Sequence, residues 1–473
     1  MFHTAKVAAR TRGLLVVAVS LLYGCSDLHD TTLANGLRVI VKEDHRSPVV
    51  VSMVWYKIGS VDEPDGITGI SHVLEHMMFK GTERYKPNEY SRIVAEQGGR
   101  ENAFTSYDYT AYFQQLEKSR LPIAFELEAD RMQNLKLDEA EFRKEIQVVM
   151  EERRLRTDDQ PEALAYERFG TLAYKVHPYR HPVIGWMPDL ERLTLDQVSD
   201  WYRRWYTPNN AVVVVVGDVK PKAVVELAKK YFGAIPARPT QRTPIPPEPP
   251  QQEPRRDTVR LPAQVPYLLM GYHVPVLEPQ SKEEQPQSPA HEPWEPFALT
   301  VLAGVLDGGE SARFERELVR EQRVAARIGT DYTSVARDPT MMLFSGTPTA
   351  EHTTADLEQG LRAQIERIKR EPVSAQELER VKAQVVASDV FRRDSVFNQA
   401  MQIGRLALAD LDLDLLDESV KRLRAVTAEQ VSQVARKYLN DPNLTVTVLD
   451  PLPPAEAPKR PRPAVPGGRS HAR

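Results

Sequence analysis

Cysteine is almost absent from this chain: Cys25 is the only one in 473 residues. That excludes intrachain disulfides and multi-cysteine metal sites, and leaves stability to buried cores, which this length permits. An excess of basic charge is missing too. The 62 Lys and Arg face 66 Asp and Glu, a formal net of −4, so no basic footprint for nucleic acid is present. Histidine is scarce, with 11 residues, so any cluster of it is informative. The apolar run at residues 14–22 is too short to span a bilayer.

That run follows Lys6, Arg10 and Arg12, so residues 1–24 read as an export signal peptide. It ends in Leu22-Tyr23-Gly24-Cys25, which resembles a bacterial lipobox, with Cys25 as the lipidated residue. Ser26 after it resembles outer-membrane sorting in Gram-negative bacteria. The expected location is the periplasm, with a lipid anchor as the only membrane attachment. Removing residues 1–24 takes away three basic residues and no acidic one, leaving a net charge of −7.

Two of the scarce histidines stand together in His72-Val73-Leu74-Glu75-His76. Around them Ile70, Val73, Leu74, Met77 and Met78 fall at i, i+3, i+4, i+7 and i+8, one apolar helical stripe. His72, Glu75 and His76 then project from the opposite face. Asp65-Gly66-Ile67-Thr68-Gly69 supplies a start signal and Gly81 a stop. Two imidazoles one turn apart with a carboxylate between them suit a metal and a general base. The plainer alternative is the solvated side of a surface helix, which the apolar Phe79 on that side argues against.

A zinc site needs a third protein ligand. The acidic run 145–152 offers one. Ile146, Val149 and Met150 give it a helical stripe, and Glu145 and Glu152, two turns apart, share a face. Geometry favours Glu152 as the ligand with Glu145 behind it, while a plain charged helix continued by Arg153, Arg154 and Arg156 stays open.

These residues resemble the pitrilysin-type zinc metallopeptidases, which include the mitochondrial processing peptidases and their bacterial relatives. The family pattern is H-x-x-E-H followed by a distant glutamate ligand, which falls on Glu152, with the assisting glutamate on Glu145. Gly98-Gly99-Arg100-Glu101-Asn102-Ala103-Phe104-Thr105-Ser106 resembles the family's peptide-pairing strand. The segments 177–182, 206–211 and 212–218 match as well, and the likeness runs from about Leu33 to about Pro451. The resemblance implies one Zn²⁺ per chain held by His72, His76 and Glu152, with Glu75 activating water. It also implies peptide substrates beside Asn102 and Ala103, and Arg320 as a substrate contact. The tyrosine that active members often place six or seven residues after that arginine is replaced here by Ala326 or Arg327. The alternative within the family is a catalytically weak binding or partner subunit of a heteromeric peptidase complex, and the expected protein partners are a second copy, as a homodimer, or an inactive homologous subunit.

The chain also repeats. Thr194-Leu195-Asp196-Gln197-Val198-Ser199 recurs as Thr427-Ala428-Glu429-Gln430-Val431-Ser432, and a β-branched strand closes each copy, at 212–216 and 444–449. A unit of this length signals a duplicated domain. Eight prolines between Pro236 and Pro254 mark a semi-rigid linker, and 278–295 reads as a polar surface insertion. The expected plan is a signal peptide (1–24), a catalytic half (25–235), a linker (236–258), a silent half (259–451) and a disordered tail (452–473). Residues 37–42 and 49–56 read as adjacent strands before helices, so the fold class is α+β with mixed or antiparallel sheets. The resemblance implies two similar halves closing like a clam around a peptide chamber.

Overall fold

The computed structural model describes residues 28–279 and 291–452. The leader, Cys25, most of the polar insertion and all of the tail beyond Leu452 lie outside the described residues.

Two sheets organise the chain. The first contains β1 (Leu28–Thr32), β2 (Arg38–Glu43), β3 (Val49–Tyr56), β4 (Arg100–Thr105), β5 (Thr110–Glu117) and β6 (Ala211–Gly217), in the order β1-β2-β6-β3-β5-β4. The second contains β7 (Arg255–Pro262), β8 (Tyr267–Val274), β9 (Ala325–Asp331), β10 (Thr340–Pro348) and β11 (Leu444–Leu452), in the order β7-β11-β8-β10-β9. With β1 set aside, the two orders are the same. Each has one parallel pair, β2 with β6 and β7 with β11, and is otherwise antiparallel. The fold is therefore α+β and built from two similar halves.

The repeated threonines show how the copies begin their last helix. Thr194 and Thr427 cap the helices Leu195–Trp205 and Ala428–Tyr438. Each hydroxyl accepts the N–H of the glutamine three residues on, whose side chain accepts the threonine N–H in return. A 3-10 turn follows in both, then the strand β6 or β11.

One expectation is overturned. β2 and β3 are not neighbours, because β6 lies between them. Every residue of β6 is buried, and its five valines line both faces. A strand apolar on both faces belongs in the middle of a sheet covered on both sides.

That double cover comes from an exchange. The helix Val396–Leu408, from the second half of the chain, packs on β6 and β3 of the first sheet. The helix Pro161–Ala173, from the first half, packs on β11, β7 and β8 of the second. Val51, Met53 and Trp55 of β3 thus share a core with Ala400, Ile403 and Ala407. Val50, Val54 and Tyr56 face the other way, onto Val73, Leu74 and Met77 of the motif helix. The period-2 alternation of one strand joins two cores.

β4 ends the first sheet as an edge strand. Phe104 pins it on one face, edge-on to Trp55 at 5.5 Å. The segment 236–254 has no regular structure but is not free of the body. The Glu248 carboxylate accepts the backbone N–H groups of Lys175, Val176 and His177.

Candidate metal centre

The histidine motif sits on the helix Ile70–Met77, whose buried stripe is Ile70, Ser71, Val73, Leu74 and Met77. Its start is built tightly. Gly69 has φ 85°, in the left-handed region, and a Cβ there would meet the Ile184 carbonyl at 2.5 Å, so only glycine fits. The fully buried Glu63 takes the orphan N–H groups of Gly69 (2.6 Å) and Ser71 (2.8 Å). Burial pushes its carboxyl up to about 7, against the pull of those two donors.

The acidic run lies on the helix Glu139–Arg153. Asp138 caps it, accepting the N–H of Ala140 and Glu141. Ile146, Val149 and Met150 are buried as the stripe requires. The run is not a solvated face throughout. Arg153 is buried, bound to Glu167 at 2.9 Å and to the Gly185 carbonyl at 2.8 Å. This anchors the helix end where Glu152 leaves it.

The two helices bring His72, His76 and Glu152 together. Their ligand atoms all lie within 4.8 Å of one another. Glu152 Oε2 is 3.4 Å from His76 Nε2 and 3.8 Å from His72 Nε2. Tetrahedral zinc, with bonds of about 2.0–2.1 Å, needs donor separations of about 3.3 Å, so two nitrogens and one oxygen placed this way fit it. Behind them Glu145 Oε2 lies 3.3 Å from His76 Nδ1, and Lys80 holds the other Glu145 oxygen at 2.6 Å. A proton on His76 Nδ1, shared with Glu145, leaves the Nε2 lone pair facing Glu152.

The electrostatics agree with such a set. Burial, followed by the charges of His76 and Arg156, pulls the His72 imidazole down to about 3, so it is a neutral donor at physiological pH. Burial also pulls at His76, but the Glu145 hydrogen bond and the nearby carboxylates outweigh it and raise that imidazole. Burial raises the Glu75 carboxyl, opposed by the hydrogen bond from Thr105. Burial acts upward on Glu145 too, yet His76 and Lys80 hold it low.

Glu75 lies on the same helix face and is not one of the three clustered donors. Its Oε2 accepts the Thr105 hydroxyl at 2.5 Å. Asn102 and Ala103 stand earlier on the same edge strand. Arg320 is elsewhere, on a π-helical segment, Phe314–Glu321, half-exposed and paired with Glu315 and Glu310. At the expected tyrosine position, Arg327 reaches Glu162 of the first half at 3.0 Å. Sequence reasoning missed Thr105, Lys80, Arg156 and Glu63. Arg156, four residues after Glu152, pairs with it at 2.5 Å, so helical spacing pointed to that one, whereas Lys80 lies past the motif helix and meets Glu145 of another helix, which no local spacing marks.

Known proteins share this architecture. Residues 38–185 match the family described as Insulinase (Peptidase family M16), and residues 192–385 match the Peptidase M16 inactive domain. The zinc protease PqqE of Helicobacter pylori is 32% identical over 429 residues, covering 89% of this chain and 92% of that protein. The crystal structure of a protease from Helicobacter pylori superposes with a TM-score of 0.83 at 32% identity, covering 90% of this chain and 99% of the other. The fold also matches the periplasmic protease PqqL from Escherichia coli (TM-score 0.72, 20% identity), covering 94% of this chain and 52% of that one. The fold is that of a peptidase family whose curated relatives are named zinc proteases. The chain belongs to peptidase family M16.

Proposed function

We propose that this chain is a zinc-dependent endopeptidase that hydrolyses extended peptides or unfolded segments in the bacterial cell envelope. The observation that carries it is the convergence of His72, His76 and Glu152 from two helices, with Glu75 beside them but outside the cluster. One zinc per chain, held by those three residues, would supply Lewis acidity to the scissile carbonyl and to a water. Glu75 takes the proton of the attacking water and returns it to the leaving amine. Glu145 and Lys80 hold His76 in its donor tautomer. Asn102 and Ala103 lie on the edge strand β4, whose free side receives the peptide as an added strand. This favours extended chains over folded ones. Arg320, exposed and paired with Glu310 and Glu315, is the proposed substrate contact of the second half.

Chelation tests the reading. Peptide hydrolysis stops when the metal is stripped, returns on adding zinc, and titrates to one ion per chain. Hydrolysis that continues in metal-free protein sinks the proposal.

A second reading is a binding subunit that works with a homologous partner, or as a homodimer. The observation favouring it is that this chain spans about half of PqqL. Export and a lipid anchor at Cys25 complete the proposal. Fractionated cells then carry the protein in the membrane pellet, and Cys25→Ser releases it to the periplasmic fraction. Protein in the cytosol would argue against the envelope.

A further inference from the structure

We infer that Thr105 is a positioning residue for Glu75: its hydroxyl holds one carboxylate oxygen so that the other faces the substrate. The inference rests on the peptidase reading. Thr105 is the last residue of β4 and pairs with Thr110 of β5. Strand alternation separates two faces. Phe104 points to the core shared with Trp55, while Ala103 joins the core of the motif helix. Thr105 falls on that second face, and its Oγ1 donates to Glu75 Oε2 at 2.5 Å. Among the described residues this is the one hydrogen bond to that carboxylate.

The proton cannot go elsewhere. A threonine hydroxyl has one, and Thr105 commits it to Glu75. The buried Thr110 hydroxyl, 3.5 Å away, gives its own proton to the Ile58 carbonyl at 3.0 Å. Thr105 is β-branched and so stiff about χ1, and the strand fixes its backbone. Glu75 differs. The last torsion of a glutamate is broad, so an untethered carboxylate would rotate among orientations. With Oε2 tied, Oε1 is left for the attacking water. The strand that receives the peptide and the tether that orients the base are then the same six residues. Loss of the tether should lower turnover and leave peptide binding nearly intact.

Two full-length zinc-loaded variants test this, Thr105→Val, of the same shape, and Thr105→Ser, which keeps the hydroxyl. In Thr105→Val, kcat on an unstructured quenched-fluorescence peptide falls about ten- to a hundredfold while KM stays within about twofold. Thr105→Ser returns kcat to within about threefold of wild type. A crystal structure of Thr105→Val shows the Glu75 carboxylate turned from its wild-type orientation. The inference is overturned by wild-type kcat in Thr105→Val, by an unmoved carboxylate, or by a serine variant as poor as the valine one. If the wild type itself is inert, the peptidase reading fails instead. The carboxylate orientation in the Thr105→Val crystal then still decides the role of Thr105.

Discussion

Glu75→Gln removes peptide hydrolysis, lowering kcat about a thousandfold, and leaves metal content at the wild-type level. Glutamine matches glutamate in size, and its amide oxygen can still accept the Thr105 hydroxyl that Oε2 accepts now. What it lacks is a basic oxygen to take a proton from water. The metal donors are His72, His76 and Glu152, so their cluster is untouched. Metal analysis beside kcat separates the outcomes. Lost activity with lost metal would mean that Glu75 shapes the site and does no proton transfer. A glutamine variant that cleaves a peptide library as fast as wild type sinks the assignment. If wild type and variant are equally inert but bind peptide equally well, the partner-subunit reading takes over.

Gly404→Ala destabilises the whole chain by about 2 kcal/mol, although alanine is the better helix former. Gly404 lies in the exchanged helix Val396–Leu408, where its face meets Trp55 of β3. A Cβ at this position would stand 2.2 Å from Trp55 Cε2 and 2.4 Å from Cζ2, where contact needs about 3.5 Å. The helix gains about 1 kcal/mol from the substitution, and overpacking a buried tryptophan costs about 3 kcal/mol, so the clash wins. Trp55 is fully buried and has nowhere to go. Urea unfolding of Gly404→Ala, Trp55→Leu and the double variant measures the coupling between them. Trp55→Leu is itself destabilising because it empties a buried site, but in that background Gly404→Ala should cost almost nothing, since the ring it strikes is gone. Stability equal to wild type in Gly404→Ala would mean that this helix does not seat on the first sheet as described.

The histidine motif was legible because helical periodicity is local. Ile70, Val73, Leu74 and Met77 are buried as their spacing requires, and this turns His72, Glu75 and His76 to one side. Glu152 was less so. Spacing left it on an ordinary charged helix as easily as in a site, and nothing local marks Arg153 as buried beside it. The duplication showed in two Thr-x-x-Gln caps, each a short-range hydrogen-bond pattern. Strand adjacency did not show. β2 and β3 are consecutive in the chain, but β6 arrives about 150 residues later and pairs between them.

The sequence by itself determined the motif helix and, through two matching Thr-x-x-Gln caps, the duplicated α+β plan, because helical periodicity and capping are short-range patterns. Only the tertiary structure decided that Glu152 reaches His76, that Thr105 tethers Glu75, and that each half covers the other's sheet. Those are contacts between segments 30 or more residues apart. They depend on which apolar faces are left to bury once the local elements have formed, and no spacing rule along one segment encodes that choice.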